Sequence, residues 1–136
     1  MVAHNRKLKQ ITFDIGGAEF SAQCTTWQVV NNSNTGDKQF TYAPDGEFTE
    51  EADPDYSLTA AFFADWRSNG ISDFLWAHDG ETVTFRIDHH PSVPLEHVRW
   101  DGSLTVKAPS AGGDVRTTEV TEIEFAIVGK PLYSRP

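Results

Sequence analysis

Four histidines in the second half of the chain are the first candidates for chemistry. His78, His89, His90 and His97, with Asp88 and Glu96 close in sequence, are residue types that hold zinc or iron. Their spacing argues against it. No pair sits four apart as on one helix face, and His89 and His90 point to opposite faces of an extended chain. They are read as loop histidines, and no metal or other cofactor is expected.

The carboxylates come next. Glu119, Glu122 and Glu124 near the chain end, with Asp14 and Glu19 near its start, could face each other across a groove as a glycosidase requires. Nothing in the sequence selects a pair among them. Nucleophiles are scarcer. Cys24 is the one cysteine, sits at an apolar position of its run and cannot form an internal disulfide. There is no Gly-x-Ser-x-Gly elbow, and Gly112-Gly113 is followed by neither Lys-Ser/Thr nor a helix. Trp27, Trp66, Trp76 and Trp100 could build a sugar platform. Their contexts place Trp76 and Trp100 in the core and leave Trp27 and Trp66 for a sheet face or a subunit interface. The chain is therefore expected not to be an enzyme.

Charge narrows the classes further. The 136 residues carry 11 Lys and Arg against 20 Asp and Glu, a net −9. A net-acidic chain without a basic patch is a poor grip for nucleic acid. Residues 39–66 hold seven acids and no Lys or Arg, whereas Arg6, Lys7 and Lys9 form a basic tip free of acid. No stretch approaches the ~20 apolar residues of a membrane-spanning helix, and the first ten residues lack the apolar run of a secretory signal.

These residues must be positioned by strands. Ile11, Phe13 and Ile15 alternate with polar neighbours, and Gly16-Gly17 is a tight hairpin signal. The run resumes with Phe20, Ala22 and Cys24 on one face, then slips parity at Trp27, which predicts a bulge near Thr25-Thr26. Residues 31–38 are turn chemistry, 39–43 a short returning strand, and an acidic loop follows to Asp55. Tyr56 to Ala64 reads as a strand. Ile71, Phe74, Leu75 and His78 predict one short helix, roughly 71–78, capped by Asn69 or Ser72 and ended by Gly80. Thr82 to Asp88 alternates cleanly. The next strand, marked by Val98, Trp100, Leu104 and Val106, carries Asp101-Gly102 as a predicted bulge or kink. Arg116 to Val128 is the last. The expectation is a single mainly β domain over 1–136, a β-sandwich or partly closed barrel with one helix.

Four features occur in order between Leu58 and Leu132. Phe62-Phe63 and Asp65-Trp66 end a strand, and Phe74-Leu75-Trp76 sits in a short helix. Asp79-Gly80 then turns into Thr82–Asp88, and Gly112-Gly113-Asp114 leads into a last strand closed by Gly129-Lys130-Pro131. In order and spacing this stretch resembles the major tail protein, or tail tube protein, of long-tailed, non-contractile (siphovirus-type) bacteriophages. Residues 1–57 match that family only in outline.

The resemblance implies a structural virion protein made in the host bacterial cytoplasm and placed in the viral tail. Its partner would be itself, in hexameric rings stacked into a tube. Tape-measure and terminator proteins would join it, and the genome would pass through at ejection without specific binding. Asp14, Glu19, Glu119, Glu122 and Glu124 are then candidates to line the channel, with the sheet that faces inward left open. Residues 31–55 are the candidate inter-ring arm. Its acids Asp45, Glu47, Glu50, Glu51, Asp53 and Asp55 would meet Arg6, Lys7 and Lys9 (in the tip, 1–9) of the next ring. The alternatives are a tail terminator or completion ring, the tube of a phage-derived secretion device, and a β-sandwich carbohydrate-binding module. An enzyme using His89, His90 and His97 is the remaining class.

Overall fold

A computed structural model describes residues 2–33, 36–50 and 53–136. Among the described residues ten strands and one helix follow in the order β1 Ile11–Ile15, β2 Ala18–Glu19, β3 Cys24–Asn31, β4 Lys38–Phe40, β5 Glu47–Thr49, β6 Tyr56–Phe63, α1 Ile71–Ala77, β7 Thr82–His89, β8 Val98–Thr105, β9 Val120–Ala126 and β10 Leu132–Ser134. A five-stranded sheet runs β10-β8-β7-β1-β2, a three-stranded sheet runs β3-β6-β9, and β4 and β5 form a separate hairpin. The architecture is the expected mainly β, sandwich-like one, without closure into a barrel.

The core follows from the period of two. Phe13 and Ile15 of β1, Phe85 and Ile87 of β7 and Leu104 of β8 face Leu58, Ala60 and Phe62 of β6 and Ile123 and Phe125 of β9, and all are buried. Gly16 and Gly17 adopt φ of 62° and 86°, which L side chains resist, and they turn β1 directly into β2 with Asp14 opposite Glu19.

Two corners join the sheets. The run from Ala18 to Asn31 is not one strand. Phe20 still bonds back to Phe13 O at 2.8 Å, then a turn at 21–23 carries the chain to the other sheet, where Phe63 N reaches Gln23 O at 2.9 Å. The predicted slip is present, as a register shift between Cys24 and Thr26 against β6. At the second corner Ile127 bridges to Leu104, and Val128 N bonds Ser103 O at 2.8 Å. Arg116 to Val128 is therefore not the last strand: the segment after Gly129 continues along β8 as β10.

Three local expectations need correction. β8 pairs with β7 without interruption, so Asp101-Gly102 is no bulge. Gly102 lies opposite Phe85, and a Cβ there would stand 3.0 Å from the ring edge. The helix covers 71–77 as expected, but neither Asn69 nor Ser72 caps it; the cap position is Gly70, without a side-chain bond. Asp65 closes the first turn instead. Its carbonyl receives Ser72 N at 3.2 Å, and its own N–H donates to Ser72 Oγ at 3.1 Å. The third correction is Trp76, which is 53% exposed. Ile71 and Leu75 take the buried stripe of this seven-residue helix, and Trp76, one position past Leu75, falls outside it.

Candidate functional site

The outer faces of the two sheets differ in their electrostatics. On the five-stranded sheet, Asp14 lies beside Glu19 and Arg86, and Arg86 lies beside Asp101. Arg86 Nε donates to Asp101 at 2.8 Å. One step along, Asp88 accepts Arg99 Nε at 2.6 Å and faces His97 Nε2 at 3.1 Å. Acid and base thus alternate across this face. Burial, and then the like charge of Glu19, raise the Asp14 carboxyl above its ordinary range. Glu19 accepts from Phe13 N and Ser21 N at 3.4 and 3.3 Å, which ties it to the first corner.

The three-stranded sheet contains no Lys, Arg or His in any strand. Its outer rows are Thr26, Ala61 and Glu122, then Gln28, Thr59 and Glu124. Glu122 and Glu124 stand exposed there, among hydroxyls and an amide, with no cation beside them among the described residues. Glu119 is occupied otherwise. It accepts Trp66 Nε1 at 2.8 Å and Gly112 N at 2.7 Å, and these bonds, Gly112's first, hold its carboxyl below its ordinary range. The five acids proposed from the sequence therefore fall into three places: Asp14 and Glu19 on one sheet, Glu122 and Glu124 on the other, and Glu119 pinning a loop.

Edges differ as well. β2 has two residues and β10 three, so both edges of the five-stranded sheet are short. β3 and β9, of eight and seven residues, flank β6, and among the described residues no strand pairs with the outer edge of β3. β3 carries neither charge nor proline, the usual guards of an exposed edge.

The expected returning strand at 39–43 is β4, and β5 completes a hairpin within the acidic segment. Asp45 and Glu47 lie at its tip, with Glu47 paired to Lys38. Glu50 bonds Asp37 O from its backbone at 2.8 Å, and Asp55 sits at the base, where Asn32 N reaches its carbonyl at 2.6 Å. Asp53 lies just before that base, and Glu51 lies outside the described residues. The basic tip contacts another loop: Arg6 and His4 both contact Glu96. Lys7 and Lys9 border a groove with His90 and Ser92.

His89 and His90 do not point apart. His90 takes φ 52°, and the two rings stack with centroids 4.3 Å apart. His97 is engaged with Asp88, and among the described residues no three of His, Cys, Asp or Glu converge as metal ligands.

The sequence reading missed an aromatic cluster. Trp27, His89 and Trp100 have the inward parity of three different strands and meet where the sandwich opens, with Trp27–His89 centroids 5.6 Å and Trp27–Trp100 centroids 6.0 Å apart. Tyr133 of β10 extends it, 5.6 Å from Trp100. They line a groove of about 440 Å³ that Lys130 and Leu8 also border. Each ring is visible in the sequence; their meeting depends on β10, which lies beyond the last strand expected from the sequence. No helix of the described residues is long and apolar enough to cross a membrane. In comparisons with known proteins, no family model matches this chain, and no curated protein matches it.

Proposed function

We propose that this chain is a non-catalytic structural subunit that assembles into hexameric rings stacked as a viral tail tube, the conduit for genome ejection. The supporting observation is the three-stranded sheet, whose outer face bears uncompensated Glu122 and Glu124 and whose β3 edge is long and unguarded. A conduit for DNA has to repel phosphate, because cations on its wall would bind the backbone by counterion release. The compensated face of Asp14, Arg86 and Asp101 lacks that one-signed character. We therefore assign the three-stranded sheet to the bore and the five-stranded sheet to the outside. Pairing of β3 with a neighbour in a ring would remove the open edge, as closed heterologous interfaces do. Asp14 and Glu19 then leave the set of channel-lining acids.

The test is negative-stain electron microscopy of purified protein over a range of concentrations, alongside its mass in solution. Six-fold rings or hollow tubes are expected. The terminator and secretion-device alternatives predict rings that do not stack, or tubes outside a virion. The aromatic groove favours one second reading, a carbohydrate-binding module, because Trp and Tyr rings lining a groove suit sugar faces. A strictly monomeric particle that binds a glycan would replace the assembly reading with that one.

A further inference from the structure

The N-terminal segment and the loop after β7 enclose a cationic groove of about 440 Å³. Arg6, Lys7 and Lys9 line it from the segment, and His90 and Ser92 line it from the loop. Among the described residues its lining holds no acid. The three cations are plain in the sequence. The histidine and hydroxyl set against them lie more than eighty residues further on, and only the fold brings them there.

Both sides of the groove are tied down. The loop is a pair of turns, with Val93 N bonded to His90 O and Glu96 N to Val93 O, each at 3.0 Å. Arg135 Nη1 donates to Leu95 O at 3.0 Å, which fastens the loop to the segment after β10. His90 takes φ 52° and stacks its ring on His89. Glu96 then holds His4 and Arg6 together and so anchors the N-terminal segment to the loop. This carboxylate offsets one of the three fixed cations. Lys7 and Lys9 pair with no carboxylate among the described residues, although the chain has 20 acids. The groove therefore keeps an excess of about two positive charges at neutral pH.

We infer that this groove binds a phosphomonoester. Such an ester carries close to two negative charges at neutral pH, which matches the excess. Bonds from Lys and Arg to phosphate oxygens are charge-assisted, and Arg6 commits its Nε to Glu96 while its terminal N–H groups remain for the ligand. The volume is larger than one phosphate group and falls in the range of small-molecule sites. The hydroxyl of Ser92 and the amides of Asn5 and Gln10 offer hydrogen bonds to a polar body such as a sugar. A long polyanion is a poorer fit, because beyond the groove it meets a chain that is net −9. A free sugar phosphate and a phosphatidic acid headgroup share the chemistry required. The site stands apart from ring assembly and is read whatever the oligomeric state.

Calorimetric titration of the full chain with glucose 6-phosphate, in low-salt buffer free of phosphate, tests it, with glucose as the neutral comparison. Lys7→Gln/Lys9→Gln removes the uncompensated pair. Lys107→Gln/Arg116→Gln removes two exposed cations elsewhere and changes the net charge equally. Circular dichroism and thermal melting establish that each variant is folded. The wild type is expected to bind the ester and not glucose. The groove variant should lose at least about tenfold in affinity, the worth of one charge-assisted bond, and the control less than about twofold. Flotation with vesicles of phosphatidylcholine and phosphatidic acid separates the two sources. Co-flotation that the groove variant loses places the ester on a headgroup, and binding of glucose 6-phosphate without co-flotation makes it a soluble one. The site is refuted if the wild type binds neither glucose 6-phosphate nor the vesicles, if glucose binds as well as its phosphate, or if both variants weaken equally.

Discussion

Arg99 and His97 converge on a single oxygen, Oδ1 of Asp88, at 2.6 and 3.1 Å. Asp88 is 5% exposed, although its strand position faces outward. The Arg99 and His97 side chains lie across its carboxylate and cover it. A charge buried this way is stabilising only while its partners remain. Arg99→Met leaves a covered carboxylate with His97 alone and is expected to cost about 2 kcal/mol. Asp88→Asn, which retains shape and an acceptor, is expected to cost about 1 kcal/mol. Urea unfolding of both variants gives the order; a larger loss for Asp88→Asn would contradict this account.

Acid should weaken the fold in two steps. Burial, and then charge on His90, lower His89 below its ordinary 6.5, so the native state binds fewer protons there than the unfolded chain. Its contribution is complete above that value and is lost as pH falls through the lower, folded value. For Asp88, burial favours the neutral acid, but the bonds from Arg99 and His97 prevail and hold it below 3.8. Its contribution is complete above that ordinary value and is lost as pH falls through the folded one. Unfolding free energy should therefore decline below about pH 6.5, and again below about pH 4. His89→Gln should flatten the first step and Arg99→Met the second. Stability unchanged between pH 7.5 and 5 would remove His89 from the explanation.

Gly102 is kept by a ring. A methyl group there would stand 3.0 Å from Phe85 Cε1 and 3.3 Å from Cζ, and Phe85 is buried with nowhere to withdraw. Gly102→Ala is expected to cost about 1–2 kcal/mol by overpacking. Combining it with Phe85→Leu should give less than the sum of the two losses, because the smaller side chain vacates the space. Additive losses in thermal melts would mean that the clash is relieved elsewhere.

The legibility of this fold in its sequence followed burial. Phe13, Ile15, Phe85 and Ile87 alternate because one side of their sheet is core, so β1 and β7 could be read, and Ile71 and Leu75 marked the helix the same way. Parity does not say which sheet a strand joins. Phe20, Ala22 and Cys24 keep one period while the chain turns the first corner, so β2 and β3 read as one run. β5 was invisible for the opposite reason: Glu47, Phe48 and Thr49 are all exposed, and nothing imposes alternation on them. The charge segregation between the tip and residues 39–66 was plain. The distribution of the acids over two sheets was not, because it depends on pairings between residues far apart in the chain, such as Thr59 with Glu124.

The assignment of sheets to bore and exterior can be read by chemical access. Glu122 and Glu124 lie on the outer face of β9, and Asp14 on the outer face of the other sheet, all on regular strands that tolerate a surface substitution. Cys24 is half-buried, and burial raises its thiol above the ordinary range, so a Cys24→Ser background loses little and removes its signal. In that background Glu122→Cys, Glu124→Cys and Asp14→Cys should each react with a small maleimide and with a bulky polymer-linked one while the protein is monomeric. After assembly, the small reagent should still reach all three. The bulky one should continue to label Asp14→Cys and lose Glu122→Cys and Glu124→Cys by about tenfold or more in rate, since a narrow bore admits the small reagent and excludes the polymer. Unchanged polymer labelling at 122 and 124, with protection at 14, would turn the subunit round and place the compensated sheet inward. The argument that the wall must repel phosphate would then fail, because Arg86 and Arg99 would line the path of the DNA.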